Sequence, residues 1–308
     1  MNELPQQLAN GLILGAMYGL IAVGYTMVYG IIQLINFAHG EIFMIGGFGA
    51  LTVYLWLPSG FSLLAAIPLM ILGGVLCSVA ISVAAERFAY RPLRSAPRLA
   101  PDHRDRPRTR TPAGRMDVVP RRHQGPLLPQ FKGEAIDIFG AGIQRGDLFV
   151  LIAAPVCMFA LGLFVSKTRA GRGMQATSQD PDTAKLMGIN TDRIIVMAFA
   201  IGAAFAAVAA VAYGLKSGQI GFRMGFIMGL KAFTAAVLGG IGNIYGAMLG
   251  GVVLGIAESL ATGYMSEVPG MELFGGGAWK DVWAFVLLIL VLLIRPQGLL
   301  GERVADRA

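Results

Sequence analysis

An all-α, polytopic membrane helix bundle is the fold that this sequence predicts. Three observations lead there. Hydrophobic residues make up 55% of the 308-residue chain and charged residues 14%, with a mean hydropathy of +0.64. A soluble domain of this length needs far more polar surface. Apolar runs near the ~20 residues that a helix needs to cross a hydrocarbon core recur along the chain. The 42 glycines suit helices that approach one another closely inside a bilayer.

Within a single transmembrane domain covering residues 1–308, about eight spans are expected, with one further span disrupted at residues 101–126. The first is Leu8–Ile31. Met1–Gln7 before it carries no basic residue, so this run reads as a span that stays rather than as a cleaved signal. Phe37–Leu57 follows, interrupted by glycines at 40, 46, 47 and 49. Phe61–Ala85, Leu148–Val165 and Ile194–Leu215 are uniform apolar runs. Phe226–Ile241 is short and contains Lys231 and Thr234. Gly246–Met265 and Val282–Ile294 complete the set. Phe37–Leu57 and Phe226–Ile241 are the candidates for discontinuous helices, a device of transport proteins where backbone lines a cavity.

The net charge of +7 reads as membrane topology and implies no nucleic-acid partner. Arg87, Arg91, Arg94 and Arg98 follow the third span. Lys167, Arg169, Arg172, Lys185 and Arg193 fill a loop at 167–193, and Arg295, Arg303 and Arg307 end the chain. The positive-inside rule makes all three regions cytoplasmic. The 266–281 loop has no cationic excess and reads as external.

That assignment leaves a parity problem. Two basic loops, 87–98 and 167–193, belong on the same side, yet only Leu148–Val165 lies between them. The anomaly sits in residues 99–130, where Pro101–Pro126 holds seven Arg, two of the three His and five Pro. Three readings stand. One is a disordered cytoplasmic linker. Another is a basic site for anionic membrane lipid or a partner. The third is translation out of frame. Asp102-His-Arg-Asp-Arg106 can be written GAT-CAC-CGC-GAT-CGG. Moved one base, with the C of the proline codon, it becomes ATC-ACC-GCG-ATC-GGC, or Ile-Thr-Ala-Ile-Gly, which is apolar helix sequence.

Several chemistries are excluded or unsupported. No GxxxxGK[ST] phosphate loop occurs, so the chain is not an ATPase. No HExxH or nucleophile–base arrangement supports an enzyme, and no cofactor or metal site is expected. Cys77 and Cys157 lie in apolar runs and read as buried thiols. Polar groups inside apolar sequence are the informative exceptions, because each is costly in a bilayer unless it is buried, paired or facing water. Asn36, His39 and Glu41 form one such cluster. Lys231 and Glu258 are the charges deepest in apolar runs, and they either pair or line a pathway together with Thr234.

In the 167–193 loop, Asp180 is an N-cap candidate, Pro181 suits the first helical position and Gly188 suits a C-terminal stop. Ala184, Leu186 and Met187 supply a small apolar face. Gly246–Gly250 and Gly251–Gly255 are GxxxG spacings, read here as packing within the chain rather than between subunits.

Three stretches carry a family resemblance. They are Gly24–Glu41, the run Leu186-Met-Gly-Ile-Asn-Thr-Asp-Arg193, and Lys231–Gly251 with its Gly239-Gly-Ile-Gly-Asn243 centre. Together they resemble the integral-membrane permease of bacterial branched-chain amino acid ABC importers, over roughly residues 8–98 and 131–301. The resemblance implies movement of leucine, isoleucine or valine across the bacterial inner membrane. It also implies a second homologous permease subunit, ABC ATPase subunits and a periplasmic amino-acid-binding protein. Asp180, Ala184, Leu186, Met187 and Gly188 would form the ATPase coupling element. Asn36, His39, Glu41, Lys231, Thr234 and Glu258 would be pathway or polar-cluster residues. Permeases for urea, another small amide or a polar amino acid look similar. An ATP-independent channel or secondary transporter, and a damaged inactive copy, are the rival readings.

Overall fold

Helix α1 (Leu4–Ile32) is the axis of the molecule. It is apolar on all sides and nearly all of its length from Gly11 to Val28 is buried, as expected of a helix with no polar face. It ends at Gln33 in the left-handed conformation, φ 56°. The computed structural model describes residues 3–58, 60–92, 136–138, 141–269, 274, 277 and 279–301. After α1 come α2 (His39–Trp56) and α3 (Leu63–Ala85), which continues through a wide π turn at Glu86–Tyr90. A hairpin pairs β1 (Ile136–Ile138) antiparallel with β2 (Ala141–Ile143). Then follow α4 (Arg145–Lys167), α5 (Arg169–Gln179), α6 (Pro181–Leu186), α7 (Thr191–Ser217), α8 (Met224–Gly239), α9 (Ile244–Tyr264) and α10 (Lys280–Ile294).

Each of the eight apolar runs forms a helix. Among the described residues, five are long and apolar enough to cross a membrane: Leu4–Ile32, Leu63–Tyr90, Gly146–Lys167, Thr191–Ser217 and Ile244–Tyr264. The segment Pro101–Pro126 lies outside the described residues.

The bundle has a basic end and an opposite end. Arg91 at the close of α3 bridges Asp192 at the start of α7 at 2.8 Å. The end of α8 and the turn after α10 meet there too, through Leu299 and Leu300 N–H groups donating to Leu238 and Gly239 carbonyls at 2.8 and 2.9 Å. At the opposite end Lys216, closing α7, pairs with Asp147, opening α4, at 2.5 Å. Residue 92 therefore stands at one end and the start of α4 at the other. The chain changes sides between them, which is the parity step that the basic loops demand.

Glycine sets the closest helix contacts. A Cβ on Gly11 or Gly15 of α1 would lie 2.6 Å from the Cα of Ile256 or Val252 on α9. On its other flank α9 meets α8, where a Cβ on Gly250 would stand 2.6 Å from Gly239 N. Both GxxxG pairs thus pack within the chain. One expectation is corrected. Cys77 is exposed and Cys157 only half-buried, because α3 and α4 turn much of their apolar surface outward, as membrane helices do.

The two runs suspected of discontinuity are each one unbroken helix, and the break lies before them. Helix α1 ends at Ile32 and α7 at Ser217; α2 starts at His39 and α8 at Met224, so the offset is 185 residues in both cases. Gln33 and Gly218, at the same offset, are both left-handed at φ 56° and 69°. Ile35, Phe37, Gly40 and Ile42 recur as Ile220, Phe222, Gly225 and Ile227. The contacts recur in exchanged pairs. A Cβ on Gly40 would lie 2.8 Å from Gly229, and one on Gly225 would lie 3.0 Å from Met44 Cβ. Ring centroids of Phe37 and Phe233 are 5.5 Å apart, and those of Phe48 and Phe222 are 4.8 Å apart. Helices α1 and α7 run antiparallel, so these are two copies of one unit related by a two-fold axis across the bundle. This is the inverted-repeat arrangement.

Candidate functional site

The two short helices start inside the bundle. His39 packs on Gly24 of α1 and beside Gly202 of α7. Gly24 is eight residues, ~12 Å, from the end of α1, and Gly202 is eleven residues, ~16 Å, from the start of α7. In a core ~30 Å thick that is near mid-depth. Non-helical backbone at such depth is tolerated only where it is buried in protein or lines water.

The polar cluster that opens α2 divides in two. Asn36 is buried; its Oδ1 accepts from Ala38 N–H at 3.1 Å and from Tyr90 Oη–H at 2.8 Å. This satisfies the turn before α2, which has no side-chain N-cap. His39 is also buried, edge-on to Tyr25 with centroids 4.8 Å apart, and its Nε2 has no hydrogen-bond partner. Only glycine at position 24 leaves room for this ring. Glu41 is exposed on the other side of the helix. Its Oε2 would be 3.1 Å from a Cβ on Gly225, in the first turn of α8.

Lys231 and Glu258 do come together. Lys231 Nζ is 3.0 Å from Glu258 Oε1 and 2.6 Å from Asp281 Oδ1. Lys280 Nζ is 3.2 Å from Glu258 Oε1. Tyr18 Oη–H donates to both carboxylate oxygens of Glu258 at 3.1 Å. Two cations and two anions from α8, α9 and α10 form a neutral cluster, with Tyr18 of α1 as its donor. Thr234 takes no part, because its Oγ1–H donates to Leu230 C=O within α8 at 3.0 Å.

At the basic end, the 167–193 loop folds as α5 and α6. Asp180 caps α6. Its carboxylate accepts from the N–H groups of Asp182 and Thr183 at 2.9 and 3.1 Å and from Thr183 Oγ1–H at 2.5 Å. The Thr183 hydroxyl, then its N–H, hold the Asp180 carboxyl below the usual carboxylate range. Gly188 ends the helix at φ +82°, with Ile189 N–H returning to Ala184 C=O at 3.0 Å. This is the glycine stop of a Schellman turn. Ala184 is buried against the bundle, whereas Leu186 and Met187 are 87% and 78% exposed. The predicted apolar face is therefore split, with one anchor inside and two large apolar side chains outside.

The model of the family described as the branched-chain amino acid transport system permease component matches residues 7–100 and 121–292. The chain belongs to this permease family. It is 44% identical to the high-affinity branched-chain amino acid transport system permease protein BraD of Pseudomonas aeruginosa, covering 96% of this chain and 95% of the relative. It is 41% identical to the corresponding LivH protein of Escherichia coli, with the same coverage. No solved structure matches the chain. The permease is a membrane protein, and its family match is interrupted over residues 101–120, inside the anomalous basic segment. The short helices and the α6 turn both lie within matched sequence. Local sequence patterns single out neither the repeat nor Arg223, the residue before α8; the chain aligned with itself at an offset of 185 shows the repeat, and Arg223 stands out only from where α8 begins.

Proposed function

We propose that this permease is the membrane-spanning subunit of an ABC importer that moves leucine, isoleucine or valine into the cytoplasm of a bacterium. It works beside a second, homologous permease chain, with the pathway between the two. ATPase subunits bind the basic end, which the positive-inside rule makes cytoplasmic. A periplasmic binding protein delivers the amino acid at the opposite end. The observation that carries the coupling is the pair Leu186 and Met187, held outward by a short helix that is capped at both ends. Exposed large apolar side chains on a rigid turn at a water-facing end suit a protein partner. The relatives' names support the substrate class.

The test is uptake of labelled leucine by proteoliposomes holding both permeases and the ATPase subunits, with binding protein and ATP supplied. ATP-dependent uptake, competed by isoleucine and valine and not by urea, is expected. Uptake that proceeds unchanged without ATP or the ATPase subunits would instead support a channel or secondary transporter.

A further inference from the structure

We infer that Glu41 and Arg223 form a binding site for the charged ends of a free α-amino acid, Glu41 for the ammonium and Arg223 for the carboxylate. The inference rests on the transport function proposed above and names the residues that would read the substrate within it.

The inverted repeat brings the starts of α2 and α8 together at Gly40 and Gly225. Helix α8 is sixteen residues long, so it reaches ~24 Å, short of a ~30 Å hydrocarbon core. Its first residues stand inside the membrane. Arg223, immediately before α8, and Glu41, in the first turn of α2, are both exposed there. Among the described residues neither forms an ion pair or a side-chain hydrogen bond. Exposed, unpaired charges at that depth are costly against lipid and belong beside water.

The repeat also shows why the pair is directional. At an offset of 185 residues, Glu41 corresponds to Phe226 and Arg223 to Ala38. Each half thus contributes one charge, and the two are of opposite sign. The Glu41 carboxylate lies against Gly225, two residues beyond Arg223. Phe37, Phe222 and Phe226 are 65%, 79% and 68% exposed at the same junction. Two opposite charges bordered by aromatic surface match a zwitterion with an apolar side chain. Charge-assisted hydrogen bonds to the two ends would fix its orientation. The contrast with Lys231 and Glu258 supports this division of roles. Those charges satisfy one another inside the bundle, whereas Glu41 and Arg223 are left for an outside ligand.

The experiment uses the full reconstituted complex, with Cys77 and Cys157 replaced and a reporter introduced by Ala38→Cys, an exposed position at the junction. A charged, membrane-impermeant thiol reagent is applied with and without leucine, leucinamide or 4-methylpentanoate. Labelling slowed by leucine, and not by the analogues that lack one charged end, is expected. Glu41→Gln and Arg223→Gln should each abolish that protection and raise KM for uptake about tenfold. Glu41→Asp and Arg223→Lys should retain most of the protection. Labelling without leucine protection, or protection indifferent to both glutamine variants, overturns the site while ATP-dependent uptake still upholds the proposed function. No labelling at all means that the junction is dry and likewise overturns the site. Loss of ATP-dependent uptake in the unsubstituted complex is the separate result that would overturn the proposed function.

Discussion

Lys231 Nζ lies 3.0 Å from Glu258 Oε1, and their side chains are 2% and 0% exposed. Removing one member of a buried pair leaves the other charged and uncompensated, at a cost of about 3–5 kcal/mol. Here the cluster moderates that cost unequally. Without Lys231, Glu258 keeps Lys280 and Tyr18; without Glu258, Lys231 keeps Asp281 and a longer contact to Tyr18 Oη at 3.4 Å, and Lys280 loses that carboxylate as well. Glu258→Leu should therefore lower the thermal midpoint of the detergent-solubilised permease more than Lys231→Met. The double variant Lys231→Met with Glu258→Leu should be less destabilised than the sum of the two. Strict additivity in that double-mutant cycle would show that the pair is not coupled.

Gly188→Leu should uncouple ATP hydrolysis from uptake while leaving the amount of permease in the membrane unchanged. The cause is conformational rather than steric, since a Cβ at Gly188 meets nothing within 4 Å but its φ is +82°. A side chain in that region costs roughly 1–2 kcal/mol, enough to unwind the stop that sets the direction of Leu186 and Met187. Gly188→Asn, which tolerates this conformation better, should retain more uptake than Gly188→Ala. Equal uptake by all three variants would remove this turn from the coupling path.

Asp180→Ala should weaken coupling in the same assay, and Asp180→Asn should preserve it, because the amide oxygen can still accept from the N–H groups of Asp182 and Thr183. The pH dependence has a definite sign. The Asp180 carboxyl is held below its ordinary value by Thr183. Its stabilisation of α6 is thus fully present above the ordinary carboxylate range and is lost as pH falls through the lowered value. Neutral-pH coupling should show no titration from this residue, and a midpoint near pH 7 abolished by Asp180→Asn would contradict the assignment.

Single cysteines at Lys185 and Gln219, in the same cysteine-free background, should label from opposite sides of intact cells. Lys185 belongs to the basic end and Gln219 follows α7 at the other. Gln219→Cys should react with an impermeant reagent added outside, and Lys185→Cys only after the cells are opened. The reverse pattern would invert the topology.

Restoring the shifted reading frame across codons 99–130 should improve both membrane insertion and uptake. The family match is broken over residues 101–120, and the chain changes ends between residue 92 and α4. The repeat adds an independent reason: moved back by 185 residues, α10 at 280–294 corresponds to 95–109, where the first half carries its basic text. Both versions would be expressed side by side. Equal transport by the chain as written would establish the basic segment as a genuine loop.

Much of the fold was legible because bilayer thickness imposes a length on apolar runs, and all eight runs became helices. The α6 turn was legible for a local reason: caps and glycine stops are written in adjacent residues, as Asp180 and Gly188 show. The partners of Lys231 were only half legible. Glu258 was a candidate because it too sits in apolar sequence. Asp281, Lys280 and Tyr18 reach the cluster through the packing of α1 and α10, which no local pattern records. The division of the Asn36–His39–Glu41 cluster was hidden as well, since rotation about α2 sends His39 inward and Glu41 outward. Arg223 was passed over because a cation in a short gap between two apolar runs looks like ordinary interfacial loop. Its depth follows only from where α8 begins.

Helix α9 touches α1 on one flank and α8 on the other through glycine, backbone against backbone. Side chains that interdigitate can change rotamer and absorb a displacement, but bare backbone has no such give. The three helices must therefore turn as one stiff lever. A push received at the end of α8, beside the turn at Gly240, would meet α9 and α1 through these contacts, with no side chain between to yield first. What makes this part of the molecule rigid is the side chains it lacks.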